Sequence, residues 1–287
     1  MMRRFVTLMT FGVCCCLAYS QQSMMNKSER YAVLEHFDEC KSVVFLNADD
    51  AYAELCLKYH VESKDSVYLS RLLTRREWHK CAHNFLDSIP SVRVSEKMKI
   101  DSVYQDSIDA LLIPYNHQIS GKSISLALQL SEHFQLSSKK YRLLMDKALA
   151  FARMKRRNPL AWFAKEEMDV MKKVLTRKQI EIVLNEKNSL DARVKACKIW
   201  DDLEKAGLSE ELDSAGQMFL LEKYFTLDMF YRDYFVGDDV TMKNNLDDLY
   251  RQRPRGIKMH EAMNTRRQIE AEAKEEKKKK VGDAFAW

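Results

Sequence analysis

Glycine and proline are scarce in this sequence of 287 residues, which contains seven glycines and four prolines. Both residues are frequent in tight turns, because glycine adopts positive φ angles and proline fixes φ near the value that many turns need. A fold of many short strands needs many such turns, so this scarcity argues against it. We therefore predict an all-α multi-helix bundle of short to medium helices, with helix exceeding roughly 60% of the mature chain, about twice the globular average.

Signatures of known catalytic sites are also lacking in the sequence. It contains no glycine-rich phosphate loop, no nucleophile elbow and no paired zinc-ligand motif. Adjacent acidic residues recur, but neighbours on a helix point about 100° apart and do not converge on a substrate by themselves. The sequence therefore identifies no catalytic residue, no cofactor-binding residue and no metal ligand, implies no cofactor, and favours a protein that is not an enzyme.

A long uncharged apolar run occurs only at the N-terminus. Arg3 and Arg4 precede it, and small residues stand before Gln21 at the positions that a signal peptidase requires. The run is shorter than the roughly 20 apolar residues that span a bilayer. Residues 1–20 are therefore predicted to be a cleaved signal peptide, and the mature protein to be periplasmic or secreted.

Only four cysteines, Cys40, Cys56, Cys81 and Cys197, lie beyond the predicted signal peptide. Three more lie inside it, each preceded by Val13 or another cysteine. A lipidated cysteine normally follows small residues, so we interpret these three as apolar signal residues. An oxidising compartment permits disulfides. Four cysteines allow three full pairings, and the sequence leaves buried thiols and a single bridge as alternatives.

Charge is distributed unevenly along the chain. Residues 251–280 carry eleven Lys or Arg against five Glu, whereas the whole chain has a net charge of +5. A segment so poor in apolar residues has little to bury, so we predict a mobile or protruding charged tail at 261–287. Outside the cytoplasm this tail meets an anionic envelope surface or stays solvated, and no nucleic-acid partner is expected. The remaining chain is divided into an N-terminal helical region, 21–120, and a C-terminal helical region, 121–260.

The predicted helix near residues 210–235 is the most aromatic segment of the chain. Apolar residues occupy most of its faces, and such a helix is either central in a bundle or covered by a partner. The central position is the preferred interpretation. If a partner covers the helix instead, its aromatic side chains form the groove for a protein partner or an unfolded client: Phe219, Tyr224, Phe225, Tyr231 and Tyr234.

His79 and His83 are four residues apart on a predicted helix, on either side of Cys81. This spacing presents two imidazoles to one side of the helix, where both can bind one metal ion. A zinc protease would have Glu directly after the first His, where this chain has Lys80, and no third ligand is identifiable. We therefore interpret the pair as surface or packing histidines.

Two segments have the pattern of a capping box, in which an N-cap hydroxyl and a Glu or Gln three residues later each satisfy a free backbone N–H. The first begins at Thr74 and ends at Glu77, and the second begins at Thr176, after Leu175, and ends at Gln179. Each is predicted to begin a helix and to stabilise it by about 1 kcal/mol.

The Leu-Thr-x-x-Gln sequence at 175–179 resembles the recurring motif of the Spy/CpxP family of small helical periplasmic proteins. A looser copy begins at Leu136 and Ser137, but Lys140 departs from the motif. The resemblance covers residues 125–190, and the chain is longer than a typical family member. It implies ATP-independent chaperone activity or stress sensing.

Two functional hypotheses follow. The first is an exported, non-enzymatic helical interaction protein of the cell envelope, chaperone-like or stress-related. The second is a helical envelope enzyme whose site is assembled only in three dimensions. A shallow apolar groove would favour the first, and a concave pocket that gathers His79 or His83 with several carboxylates would favour the second. The sequence leaves the oligomeric state open.

Overall fold

The computed structural model describes residues 24–284 apart from 60, 62 and 213. Helix accounts for 82% of the described residues, and these contain no strand. The prediction of an all-α multi-helix fold is therefore confirmed. The predicted signal peptide, residues 1–20, lies outside the described part of the chain.

The chain forms two compact units that divide between Phe163 and Ala164. The helices of the first unit are α1 (Lys27–Glu35), α2 (Phe37–Tyr59), α3 (Ser63–Leu86), α4 (Pro90–Leu112), α5 (Lys122–Gln129) and α6 (Ser138–Arg157). Those of the second are α7 (Ala164–Val174), α8 (Arg177–Lys205), α9 (Ser214–Tyr234), α10 (Asp239–Arg251) and α11 (Arg255–Ala284).

Helix α3 is the centre of the first unit, because α1, α2 and α4 all pack against it. Its buried leucines meet apolar residues of α2 and α4, and burying each such side chain stabilises the fold by about 1.5–3 kcal/mol. The buried cluster consists of Ala48, Leu69, Leu72, Leu73, Ile100, Tyr104, Ile108 and Leu112.

A disulfide between Cys40 and Cys81 joins α2 to α3, with their Cα atoms 6.2 Å apart. Cys56 is a half-buried free thiol, and Cys197 is an exposed one. The structure thus resolves the alternatives that the sequence left open, in favour of a single bridge among these four cysteines.

Ion pairs attach α6 to α4. Arg153 and Arg156 contact Asp106, and Arg156 also contacts the buried carboxylate of Asp109. The Ser125 hydroxyl of α5 donates to the carbonyl of Ile113, just after α4. Because of these contacts α5 and α6 belong to the first unit, and the division between units falls later in the chain than the boundary at residues 120–121 that we placed from sequence.

In the second unit, α8 and α9 run antiparallel and form its largest helix–helix contact. Asn188 donates to Asp233 at 2.7 Å, and one turn further along α8 Arg193 lies 3.7 Å from Glu222. Helix α8 ends at Lys205, and two residues later Gly207 has a φ of +70°, which glycine adopts without strain. The N–H groups of Gly207 and Leu208 bond back to the last turn of α8, which frees the chain to reverse.

Of the helix starts predicted from capping patterns, the one at Thr176 is confirmed and the one at Thr74 is wrong. Thr176 caps α8 in a complete capping box with Gln179, as predicted, and Ser137 caps α6 by accepting from the backbone N–H of Lys140. The predicted start at Thr74 is wrong, because α3 runs through it without a break. There the Thr74 hydroxyl donates to the carbonyl of Ser70 at 2.8 Å, a backbone contact that a threonine inside a helix can make.

The charged C-terminal segment forms most of α11. Ile257, near the start of this helix, is buried against Ala196 and Leu221. From Asn264 to Lys278 every side chain is exposed, as expected for a segment with little apolar surface. Among the described residues, no helix combines the length and the apolar character needed to cross a bilayer.

Candidate functional site

The aromatic helix α9 is only partly covered by its neighbours. Leu221 and Phe230 are its buried residues, and the remaining side chains are half-buried or exposed. Helix α9 packs against α7, α8, α10 and α11, and the side that carries the exposed Phe219 stays open. A central position in the bundle would require α9 to be enclosed by other helices, and α9 is not enclosed.

A shallow groove of about 300 Å³ runs along the open side of α9, next to α8. Phe219, which is 66% exposed, lies in this groove with Leu227 and Phe230. Glu181 and Asn185 of α8 form the opposite wall. The remaining lining residues are polar or charged: Glu222, Lys223 and Thr226.

The structure places the other four predicted groove residues elsewhere. Tyr224 and Phe225 pack against the cluster that contains Ala196, Leu221 and Ile257. Burial, helped by nearby Asp228, raises the pKa of the Tyr224 hydroxyl. These two aromatics therefore belong to the packing of the second unit.

Tyr231 and Tyr234 lie at the C-terminal end of α9. The ring of Tyr234 stacks on Phe230 at 5.3 Å, and the Lys172 ammonium lies 4.5 Å from its centre. Tyr231 is 5.7 Å from Phe230. Of the five aromatics that we named from sequence, only Phe219 therefore lines the groove. Leu227 and Phe230 were missed because the sequence does not tell which side of α9 faces α8.

A second candidate site is formed by Glu29, His79 and His83. The Nε2 atom of His79 lies 3.1 Å from Oε2 of Glu29, and Nε2 of His83 lies 3.2 Å from Oε1. One ligand atom from each residue lies within 4.8 Å of the others. The three residues are 7%, 6% and 9% exposed, so the cluster is inside the first unit.

The capping box of α1 positions Glu29 in this cluster. Asn26 caps the helix, and its backbone N–H donates to Glu29 Oε2 at 2.6 Å. Burial alone would raise the pKa of the Glu29 carboxyl. The hydrogen bond from Asn26 and the contacts with His79 and His83 outweigh burial, so the pKa is lowered from its ordinary value.

The Nδ1 atoms of the two imidazoles have different surroundings. Nδ1 of His83 lies 2.7 Å from Asp87, the residue just after the end of α3. Nδ1 of His79 is buried without a hydrogen-bond partner among the described atoms. Tyr104 packs edge-on against His79 with ring centres 6.0 Å apart, and burial raises the pKa of its hydroxyl to about 12.

Two imidazoles and one carboxylate are a donor set that zinc and other first-row transition metals use in proteins. From sequence we found no third ligand for His79 and His83, whereas the structure supplies Glu29. The capping pattern Asn-x-x-Glu predicts a helix start at Asn26 but carries no information about which helix lies beside it. Asp87 had a sequence signal, because it follows His83 by four residues, the spacing at which side chains meet across one helical turn, although α3 ends at Leu86.

Comparison of the chain with family models, curated proteins and solved structures finds no match. The resemblance of residues 175–179 to the Spy/CpxP motif therefore stays a prediction.

Proposed function

We propose that this protein is an exported, non-enzymatic helical protein that binds apolar segments of a protein partner or unfolded client. The observation that carries the proposal is Phe219, a large aromatic side chain that is 66% exposed in an apolar groove between α8 and α9. Exposed apolar surface rimmed by polar residues is typical of protein interaction sites.

The composition of the groove favours an apolar peptide over a small polar ligand. Phe219, Leu227 and Phe230 provide its apolar surface, while Glu222 and Lys223 bring charges of both signs to its edge. Covering a phenylalanine side chain stabilises a complex by up to about 1.5–3 kcal/mol. A shallow surface of this kind suits weak and reversible binding of many sequences.

Two features support the envelope as the place of action. Disulfides form and persist in oxidising compartments, and Cys40 and Cys81 form one. The exposed basic side chains of α11 suit contact with an anionic envelope surface.

The experiment is suppression of aggregation of a chemically unfolded client without ATP. We expect the wild type to suppress aggregation and Phe219→Ala to suppress it less, with an unchanged thermal midpoint. Leu220→Ala is the matched control, since Leu220 is 42% exposed on the same helix but does not line the groove. A wild type without suppression, or a Phe219→Ala variant as active as the wild type, would contradict the proposal.

The alternative, an envelope enzyme with a site assembled in three dimensions, depends on His79, His83, Glu29 and Asp87. The structure brings these side chains together, but His79 and His83 are only 6% and 9% exposed. So little exposure leaves a substrate almost no access to the two imidazoles. The groove on α9 therefore favours the interaction protein.

A further inference from the structure

We propose that Glu29, His79 and His83 bind one divalent transition-metal ion of the zinc class, and that this ion fastens α1 to α3. The proposal concerns the first unit alone and does not depend on the proposed binding of clients by α9. Its test therefore succeeds or fails separately.

Two of the distances between candidate ligand atoms are close to the spacing that a zinc ion requires. Zinc binds nitrogen and oxygen ligands at about 2.0–2.2 Å in a tetrahedron, which separates neighbouring ligand atoms by roughly 3.4 Å. Glu29 Oε2 and His79 Nε2 are 3.1 Å apart, and Glu29 Oε1 and His83 Nε2 are 3.2 Å apart. One ligand atom from each of the three residues lies within 4.8 Å of the others, so the side chains would have to draw closer together to enclose an ion.

The surroundings of His83 point to a cation. A neutral imidazole has one N–H donor and one lone pair, yet both nitrogens of His83 face carboxylate oxygens, those of Asp87 and Glu29. Ionised carboxylates only accept hydrogen bonds. A neutral His83 can therefore donate to only one of the two ionised carboxylates, and a metal ion beside Glu29 would use the lone pair of its other nitrogen.

The arrangement with a metal ion is the usual environment of a metal-binding histidine, whose other nitrogen donates to a carboxylate. Asp87 is in this position at 2.7 Å. It orients the His83 ring and fixes the tautomer whose Nε2 lone pair points toward Glu29. Asp87 is thus a positioning residue, and the ligands are the other three.

Burial of the cluster makes a structural ion the better interpretation than a catalytic one. Catalytic zinc keeps a position open to substrate, whereas structural zinc is enclosed by four ligands. Three of the four ligands come from the protein here, and a buried water molecule would supply the fourth. Glu29, His79 and His83 are each less than one tenth exposed. The carboxylate comes from α1 and both imidazoles come from α3, so the ion would cross-link two helices of the first unit.

The position of Cys81 between the histidines fits this arrangement. Residues four apart lie on the same side of a helix, and a residue midway between them lies on the opposite side. His79 and His83 therefore face α1, while Cys81 forms its disulfide with Cys40 of α2. One short segment of α3 would hold α1 through the ion and α2 through the disulfide.

The test uses the chain from residue 21 with its disulfide intact and without a polyhistidine tag. The protein is stripped with a chelator, dialysed against buffered Zn²⁺ and analysed for zinc content and thermal midpoint. We expect one zinc ion per chain and a higher midpoint with zinc, since binding to the folded state stabilises it. This comparison uses the wild type alone and so does not depend on any variant folding.

Substitutions then assign the ligands. Glu29→Gln, His79→Gln and His83→Gln should each abolish the bound zinc and the shift in midpoint, and Glu29→Gln keeps an oxygen that accepts the Asn26 N–H. Asp87→Asn should weaken zinc binding by about 10–100-fold, as loss of an outer carboxylate partner does. His260→Gln is the matched control, because His260 contacts a single carboxylate, Asp202, at 3.1 Å.

Zinc content near zero in the wild type, with no shift in midpoint, would overturn the proposal and leave the cluster as a hydrogen-bond network around Glu29. Unchanged zinc content in His79→Gln and His83→Gln would overturn it as well. Loss of zinc in the three ligand variants but not in His260→Gln would establish the site.

Discussion

The Nε2 atom of His83 lies 3.2 Å from Oε1 of Glu29, a residue 54 positions earlier in the chain. This contact joins the first described helix to the central helix of its unit. Both residues are buried, and loss of either one leaves a single polar atom of the other, Glu29 Oε1 or His83 Nε2, without this partner, although Glu29 keeps Asn26 and His83 keeps Asp87. A buried polar group without its partner costs about 1–3 kcal/mol, which makes the docking of α1 sensitive to either side chain.

Removing the disulfide should destabilise the first unit. Cys40 and Cys81 are 41 residues apart, and a crosslink of this kind typically contributes about 2–4 kcal/mol. We expect the Cys40→Ser and Cys81→Ser double variant to lose stability on this scale in chemical denaturation. Cys197→Ser, which removes an exposed free thiol, is the control and should change little. If Cys40, Cys56, Cys81 and Cys197 all react as thiols in the denatured, unreduced protein, the assignment is contradicted.

Thr176 and Thr74 lie in similar sequence patterns, but their replacement by alanine should lower the stability of the protein by different amounts. Thr176 accepts the Gln179 N–H at the start of α8, so Thr176→Ala should cost about 0.5–2 kcal/mol, as loss of an N-cap does. Thr74 lies inside α3 and its hydroxyl only supplements an existing helix. Thr74→Ala should therefore cost less than Thr176→Ala in denaturant titrations. Equal losses of stability in the two variants would show that the Thr74 side chain stabilises the protein by more than its hydrogen bond to Ser70 accounts for.

Two adjacent leucines test the orientation of α9. Leu221 is fully buried at 0% exposure, and Leu220 is 42% exposed. Leu221→Ala should cost about 2–5 kcal/mol, as large-to-small changes in a packed core do. Leu220→Ala should cost a small fraction of that. The thermal midpoints of the two variants check this, and a reversed order would mean that α9 is rotated.

The ion pairs between α4 and α6 predict a dependence on pH. Burial alone would raise the pKa of the Asp106 carboxyl, but hydrogen bonds from Arg153 and Arg156 outweigh it and lower the pKa. A lowered pKa in the folded state contributes stability above the unfolded value of about 3.9. That contribution is lost as the pH falls through the folded value.

Asp106→Asn should therefore be less stable than the wild type at neutral pH, and the difference should shrink in strong acid. Denaturant titrations at several pH values measure this. Asp50→Asn, at an exposed position on α2, serves as the control and should match the wild type at neutral pH. A difference between wild type and Asp106→Asn that does not change with pH would exclude the ion pairs as its source.

Truncation separates the buried start of α11 from its exposed remainder. Every side chain from Asn264 to Lys278 is exposed, so a chain that ends at Met263 should keep its thermal midpoint. Ile257→Ala should lower it, because Ile257 is 5% exposed against Ala196 and Leu221. Its expected cost is about 2–5 kcal/mol. A large loss on truncation would show that the exposed part of α11 docks elsewhere.

Local sequence was sufficient for helix content and for several helix ends. The caps at Ser137 and Thr176 and the stop at Gly207 are satisfied by residues within a few positions, so their patterns are visible in the sequence. The same kind of pattern failed at Thr74. There the apolar stripe continues through Leu69, Leu72 and Leu73, and burial of these leucines favours one continuous helix.

The candidate sites were only partly predictable. His79 and His83 were recognised as a pair because helical spacing places them on one side of α3. Glu29 was not recognised as their partner. Of the predicted groove aromatics only Phe219 lines the groove, because α8 and α11 cover other faces of α9.

The sequence by itself determined that the described chain is helical, since the scarcity of glycine and proline and the spacing of apolar residues act within one or two turns. The tertiary structure alone decided that Cys40 pairs with Cys81, that Glu29 meets His79 and His83, and which side of α9 stays open. These contacts join residues that are tens of positions apart. They depend on which helices pack together, and helical periodicity marks the face that a helix buries without marking the helix that covers it.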